Sequence, residues 1–283
     1  MKNMKTKKQK WLDAQKGELK SWTIGDLDRK DLIKSWRNRI DNYKIDFSDF
    51  KVSTKILDVG CGPVSILEIL PKSEIMIATD SLNDEYQKYF FRKKTNIKYK
   101  NFAAEKIPYE NNYFDVIFCL NAFDHLEKPF VALDEMLRVL NLNGCIYIEF
   151  ENTSPLVKLL SKFGYKKPLS EFHPHLISLD DIEKNLKTNH KNIELKIIDM
   201  KPEFNHNKIV YLINILFGKK KMTKSETNIS SISAGPLRFV LHYTIIMLER
   251  LFFIFNPKKY SYFNILLLKC NDGDKSRKKV SIR

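Results

Sequence analysis

From residue 55 onward the chain alternates short apolar runs with amphipathic stretches. Runs at 55–59, 75–79, 97–102, 113–120 and 145–150 lack the polar alternation of a half-exposed strand. They predict strands of a mostly parallel sheet covered on both faces. Between them, Leu133, Met136, Leu137 and Leu140 share one helical face, and the pattern stops at a turn predicted over 141–144. Alternating strand and helix predict an α/β fold. Upstream, Trp11, Leu12, Leu19, Trp22, Leu32, Ile33, Trp36 and Ile40 recur at roughly helical spacing on a polar background, which predicts an N-terminal helical cap over 8–50. Beyond 150 the pattern predicts a loop or helix at 154–163, a helix from Ser178 with Asp181 at capping-box spacing, and strands at 193–198 and 262–268. Between the last two lies a long insertion, 201–259, carrying apolar stretches at 209–217 and 237–255.

Composition adds limits. The net charge of +15 suits an acidic partner, whether nucleic acid, an anionic membrane or a phosphorylated substrate. Much of the excess, however, sits in 1–10, in 275–283 and in Lys219, Lys220, Lys221 and Lys224. Cys61, Cys119, Cys145 and Cys270 show neither CxxC nor Cys/His spacing and read as reduced residues, three of them in strands or strand ends. Residues 1–10 are Lys-rich with no apolar core after them, so no signal peptide is expected and the expected compartment is the cytosol. Arg238, His242, Glu249 and Arg250 interrupt the longer apolar stretch, which argues against a membrane span.

The chemistry starts at Ile56-Leu57-Asp58-Val59-Gly60-Cys61-Gly62-Pro63, a strand running into a tight glycine turn. Glycines there let a ligand approach the backbone where a Cβ would collide, and an open α/β sheet binds nucleotide-like ligands at this edge. The next predicted strand ends in Asp80, placed to accept hydrogen bonds from ribose hydroxyls. Asp58 separates two cofactor classes. A carboxylate just before the turn opposes a pyrophosphate, whereas it favours the ammonium of a methionine moiety. The dinucleotide pattern also wants a third glycine where Ser65 stands.

Residues 56–63, Asp80, Ala104-Glu105-Lys106-Ile107-Pro108-Tyr109, and Phe114-Asp115-Val116-Ile117-Phe118-Cys119-Leu120-Asn121 followed by Asp124-His125-Leu126 together resemble the methyltransferase type 11 family of class I S-adenosylmethionine-dependent methyltransferases. The likeness covers about 55–151 and includes the helix and closing turn at 133–144. It implies a doubly wound, seven-stranded Rossmann-like sheet and an enzyme using S-adenosyl-L-methionine. It also implies that Asp58, Gly60, Cys61 and Gly62 hold the methionine portion, Asp80 the ribose, and Ala104 with Glu105 the adenine, with Asn121 lining the pocket near the methyl group. The chain departs from the family at Val64, where a third glycine is usual, and at Ala103, where an acid is usual.

The expected organisation is therefore a tail and helical cap at 1–50, a cofactor-binding catalytic core at 51–200, a helical lid or membrane-surface contact at 201–259, a last core strand at 260–270 and a basic tail at 271–283. The expected reaction is methyl transfer to a small-molecule or lipid-linked acceptor, with a hydroxyl oxygen of a sugar or related metabolite favoured. A hydroxyl acceptor needs a base. His125, His173 and His175 are the candidates, and Phe172-His173-Pro174-His175 resembles what small-molecule members of the family carry at this place. No metal site is expected, because no third ligand stands with His173 and His175. Lysines 219–224 beside 209–217, and the Phe252-Phe253-Ile254-Phe255 run within 237–255, suit peripheral contact with a membrane. A nucleic-acid substrate is not favoured, since neither a base-amino motif nor an RNA-binding appendix is visible. The alternatives are a non-catalytic binding module on the same fold and an NAD(P)-dependent oxidoreductase.

Overall fold

The computed structural model describes residues 6–23, 28–43, 47, 50–90, 96–165, 173–201, 244–245, 248–249, 251–256, 258 and 262–269. Its centre is strand β1 (Lys55–Val59), whose residues alternate between two apolar layers. Leu57 and Val59 pack in one layer with Ile117 and Cys119 of β4 (Phe114–Leu120) and with Leu133, Met136 and Leu137 of helix α4 (Pro129–Val139). Ile56 lies in the other layer with Val116 and Phe118 of β4 and Ile40 of α2 (Arg29–Tyr43). A strand sends successive side chains to opposite faces, and here both faces are covered, which is why the runs read as apolar throughout.

β1 pairs in parallel with β2 (Ile75–Thr79) and β4, β2 with β3 (Ile97–Lys100), and β4 with β5 (Leu140–Phe150). β7 (Tyr262–Lys269) runs antiparallel between β5 and β6 (Ile193–Lys201). The strand order is β3-β2-β1-β4-β5-β7-β6. Helices α3 (Asn83–Tyr89), α5 (Pro155–Lys162) and α6 (Leu179–Asn189) complete the order, and Ser178 and Asp181 form the capping box read from their spacing.

One expectation fails at 141–144, which belong to β5 rather than to a turn before it. The pairing of β4 with β5 shifts register between Phe114 and Val116, and a Cβ on Gly144 would stand 2.6 Å from the Asp115 carbonyl oxygen. Glycine here lets an irregular strand pass its neighbour, so a residue that looks like turn punctuation serves a bulge.

The expected cap is present as α1 (Lys7–Thr23) and α2. It is tied across the carboxyl edge of the sheet: Trp11 Nε1 donates to the His125 carbonyl at 2.9 Å and Trp36 Nε1 to that of Val64 at 2.8 Å. Arg29 pairs with Glu68, and Arg39 Nη1 with Glu149 Oε2 at 3.0 Å. Most of the insertion at 201–259 and the whole of 271–283 lie outside the described residues, as does Cys270. Among the described residues no helix is long and apolar enough to cross a membrane.

Candidate active site

The strand order reverses direction between β1 and β4, and the loops leaving their carboxyl ends open a crevice there. Gly60 (φ +70°) and Gly62 (φ +62°) give the turn after β1 its left-handed backbone. The amides of Gly60 and Cys61 donate to the Thr79 carbonyl at 2.8 and 3.0 Å, which folds the turn over the end of β2. Ser65, in the place of the missing glycine, accepts from the Leu67 amide at 3.1 Å and caps a short 3-10 turn, Ile66–Ile69. A Cβ on Gly62 would meet no atom within 4 Å, so this face of the turn opens onto free space that suits a ligand.

Asp80 stands at the end of β2. Its Oδ2 accepts from the Gly62 amide at 2.9 Å and its Oδ1 from the Leu82 amide at 2.8 Å, which fixes the carboxylate at the pocket wall. Glu105 Oε1 accepts from the Lys128 amide at 2.8 Å. Asn121 follows β4 at φ +55° and donates its amide to Glu149 at 2.9 Å. Gly60, Cys61, Gly62, Asp80, Ala104, Glu105 and Asn121 all line one pocket, so the structure brings together seven of the expected cofactor residues.

Asp58 stands apart from these seven. It is 2% exposed and is not on the pocket wall. Its Oδ2 instead accepts from Ser65 Oγ at 2.6 Å, so it braces the glycine turn from behind. Burial pushes its carboxyl up to about 7 against the lowering hydrogen bonds from Ser65 and Ile66. Between about pH 4, where an unfolded Asp titrates, and pH 7, the native state keeps a proton the unfolded chain has lost. Stability therefore falls as pH rises through this window, by a few kcal/mol at most on the order-of-magnitude scale of ~1.4 kcal/mol per unit, and levels off above it. Asp58→Asn is expected to flatten that slope in melting experiments from pH 4.5 to 8; an unchanged slope would place the titration elsewhere.

The three histidines separate. His125, at the end of the 3-10 turn Phe123–His125, lines the pocket, with Nδ1 3.7 Å from Glu18 Oε2. His173 is off the wall: its Nδ1 is 2.5 Å from Asp124 Oδ2 and its Nε2 3.4 Å from Glu151 Oε2. Its ring centroid is 4.4 Å from that of His125. His175 Nε2 donates to the Leu126 carbonyl at 2.8 Å, burial lowers its pKa, and the ring fixes a loop instead of facing the pocket. Burial would raise the Asp124 carboxyl, but the hydrogen bond with His173 and the nearby imidazoles bring it below the usual range. Asp124, His125 and His173 each bring one ligand atom within 4.8 Å of the others, a group that His175 does not join.

The sequence reading missed the opposite wall. All three tryptophans of the chain, Trp11, Trp22 and Trp36, line the pocket with Glu18 and Arg39. Arg39 is held by Glu149 and lies 5.2 Å from the Trp36 ring. Helical spacing marked these residues as one amphipathic cap, and the concentration of every tryptophan there was the available sign that its inner face does more than pack.

The parallel sheet, the glycine turn after β1 and the acid after β2 stand in the arrangement of an S-adenosylmethionine-dependent methyltransferase domain. Residues 57–148 match the type 11 family model, described as a methyltransferase domain. A tRNA U34 carboxymethyltransferase of Nautilia profundicola is 32% identical over 141 residues, covering 46% of each chain. The ubiquinone/menaquinone biosynthesis C-methyltransferase UbiE of Nitrosospira multiformis is 26% identical over 154 residues, covering 48% of this chain and 60% of that one. The chain thus spans about half the length of these curated relatives. Among solved structures, phosphoethanolamine N-methyltransferase 2 of Haemonchus contortus, in complex with phosphomonomethylethanolamine and S-adenosylhomocysteine, aligns with a TM-score of 0.52 at 15% identity, over 96% of this chain and 62% of that one. The likeness is one of fold. The methyltransferase match displaces the oxidoreductase alternative.

Proposed function

We propose that the whole chain transfers the methyl group of S-adenosylmethionine to a hydroxyl oxygen of a small or lipid-linked acceptor held between the cap and the carboxyl edge of the sheet. The observation that carries this reading is the pocket itself, lined by the glycine turn, Asp80, three indoles and His125. Gly60, Cys61 and Gly62 receive the methionine portion, Asp80 the ribose, Ala104 and Glu105 the adenine. Asn121 stands near the methyl group, and Asp58 positions the turn. The bound cofactor supplies an already activated methyl. The chain has to align the acceptor behind it and exclude water, and an aromatic wall does both. His125 stands at the acceptor end of the pocket and fixes the acceptor's place; His173 and His175 support its loop. In this reading 51–200 form the catalytic core and 201–259 the lid or membrane-facing element. Exposed Leu251, Phe252, Ile254 and Phe255 favour the latter, while 209–217 and most of 237–255 lie outside the described residues.

A tRNA acceptor is the second reading, favoured by the tRNA-directed relatives and the charge of +15. Labelled S-adenosylmethionine offered with a panel of sugars, lipid-linked sugars and tRNA separates the two. Label is expected in the small-molecule or lipid extract, and His125→Ala is expected to cut turnover about 100-fold, the cost of losing acceptor alignment, with S-adenosylhomocysteine affinity kept. Label in tRNA alone would overturn the acceptor assignment, and cofactor binding without transfer to any of them would favour a binding module.

A further inference from the structure

Beside the acceptor end of the pocket, Asp124, His125 and His173 each offer one ligand atom, all within 4.8 Å of one another. Two of the polar atoms in this group are buried without a hydrogen-bond partner, Asp124 Oδ1 and His125 Nε2. Asp124 is only 1% exposed. A buried polar atom left unsatisfied costs about 1–3 kcal/mol, so two such atoms in one cluster call for a group that satisfies both.

The surrounding carboxylates say what kind of group. A histidine bound to a metal through one nitrogen almost always presents its other N–H to a carboxylate, carbonyl or water, which fixes the ring and its tautomer. His125 has its Nε2 unpartnered and its Nδ1 3.7 Å from Glu18 Oε2. His173 has its Nδ1 toward Asp124 and its Nε2 3.4 Å from Glu151 Oε2. Both rings therefore point one nitrogen inward and the other at an outer carboxylate. We propose that Asp124, His125 and His173 form a binding site for a first-row divalent cation. Two imidazoles and one carboxylate are a donor set such cations take, and they leave coordination positions open. His125 is also a pocket residue, so an open position faces the space assigned to the acceptor. A cation there orients the acceptor hydroxyl and acidifies it, its proton leaving to solvent. That use rests on the proposed acceptor reading; the binding itself does not.

The test needs no turnover. Titrating the full-length apoprotein with Co(II) alone is expected to give visible d–d absorption that saturates at one equivalent. Asp124→Asn and, separately, His173→Ala are expected to weaken it at least 100-fold, while His190→Ala, at a surface pair with Asp134, leaves it unchanged. S-adenosylhomocysteine binding by each variant shows that it is folded. Absence of saturable absorption, or absorption unaltered in both folded variants, overturns the site. The same titration with S-adenosylhomocysteine fails only if the cofactor reading is wrong, so the two failures are told apart.

Discussion

Asp80→Ala lowers affinity for S-adenosylhomocysteine by about 100-fold or more in calorimetric titration. The Asp80 carboxylate is fixed by the amides of Gly62 and Leu82 at 2.9 and 2.8 Å, so it meets the ligand without having to be ordered first. Hydrogen bonds to a charged group contribute about 1.5–3 kcal/mol each, and two ribose hydroxyls bring the total above the ~2.7 kcal/mol that corresponds to 100-fold. Asp80→Asn, which keeps an acceptor but loses the charge, falls between. NAD serves as the control and shows no binding. An affinity for S-adenosylhomocysteine within threefold of the parent protein in the alanine variant would remove Asp80 from the cofactor site.

The second large effect separates two glycines that look alike in sequence. At Gly60 (φ +70°), an added Cβ stands 2.4 Å from the Ala122 Cβ. Neither atom can move without shifting backbone, because Ala122 is buried between β4 and its following turn. Gly60→Ala thus combines a clash with the ~1–2 kcal/mol cost of a left-handed residue, and its melting temperature drops by on the order of 10 °C or more, since each kcal/mol moves the midpoint by a few degrees. Gly62 (φ +62°) has nothing within 4 Å of an added Cβ. Gly62→Ala therefore carries the backbone cost alone and melts only a few degrees lower, yet its methyl enters the ligand's space and weakens S-adenosylhomocysteine binding at least tenfold. Equal melting temperatures for the two variants would contradict this division, as would undiminished ligand binding by Gly62→Ala.

Sequence alone determined what depends on local pattern. A strand buried on both faces can only be written with apolar residues at consecutive positions, so β1, β2 and β4 are legible at 55–59, 75–79 and 113–120. A left-handed turn and the acid ending the next strand are equally local requirements, and they locate Gly60, Gly62 and Asp80. Capping geometry repeats every time a helix starts, and it marks Ser178.

Tertiary structure decided what depends on which atom faces which. Asp58 and Asp80 are both acids near the glycine turn, yet the strand's alternation buries one against Ser65 and leaves the other on the pocket wall. The register shift beside Asp115 turned a predicted turn into strand. Asp124, His125 and His173 are brought together by residues 49 apart in the chain meeting across the carboxyl edge, a distance that no periodicity encodes. Likewise, helical spacing announced the cap, but only the docking of Trp11 and Trp36 onto the loops after β4 and β1 shows that it closes the pocket. Local pattern is set by the backbone's own geometry, whereas a site is set by packing between segments distant in the chain, and that information is carried by shape rather than spacing.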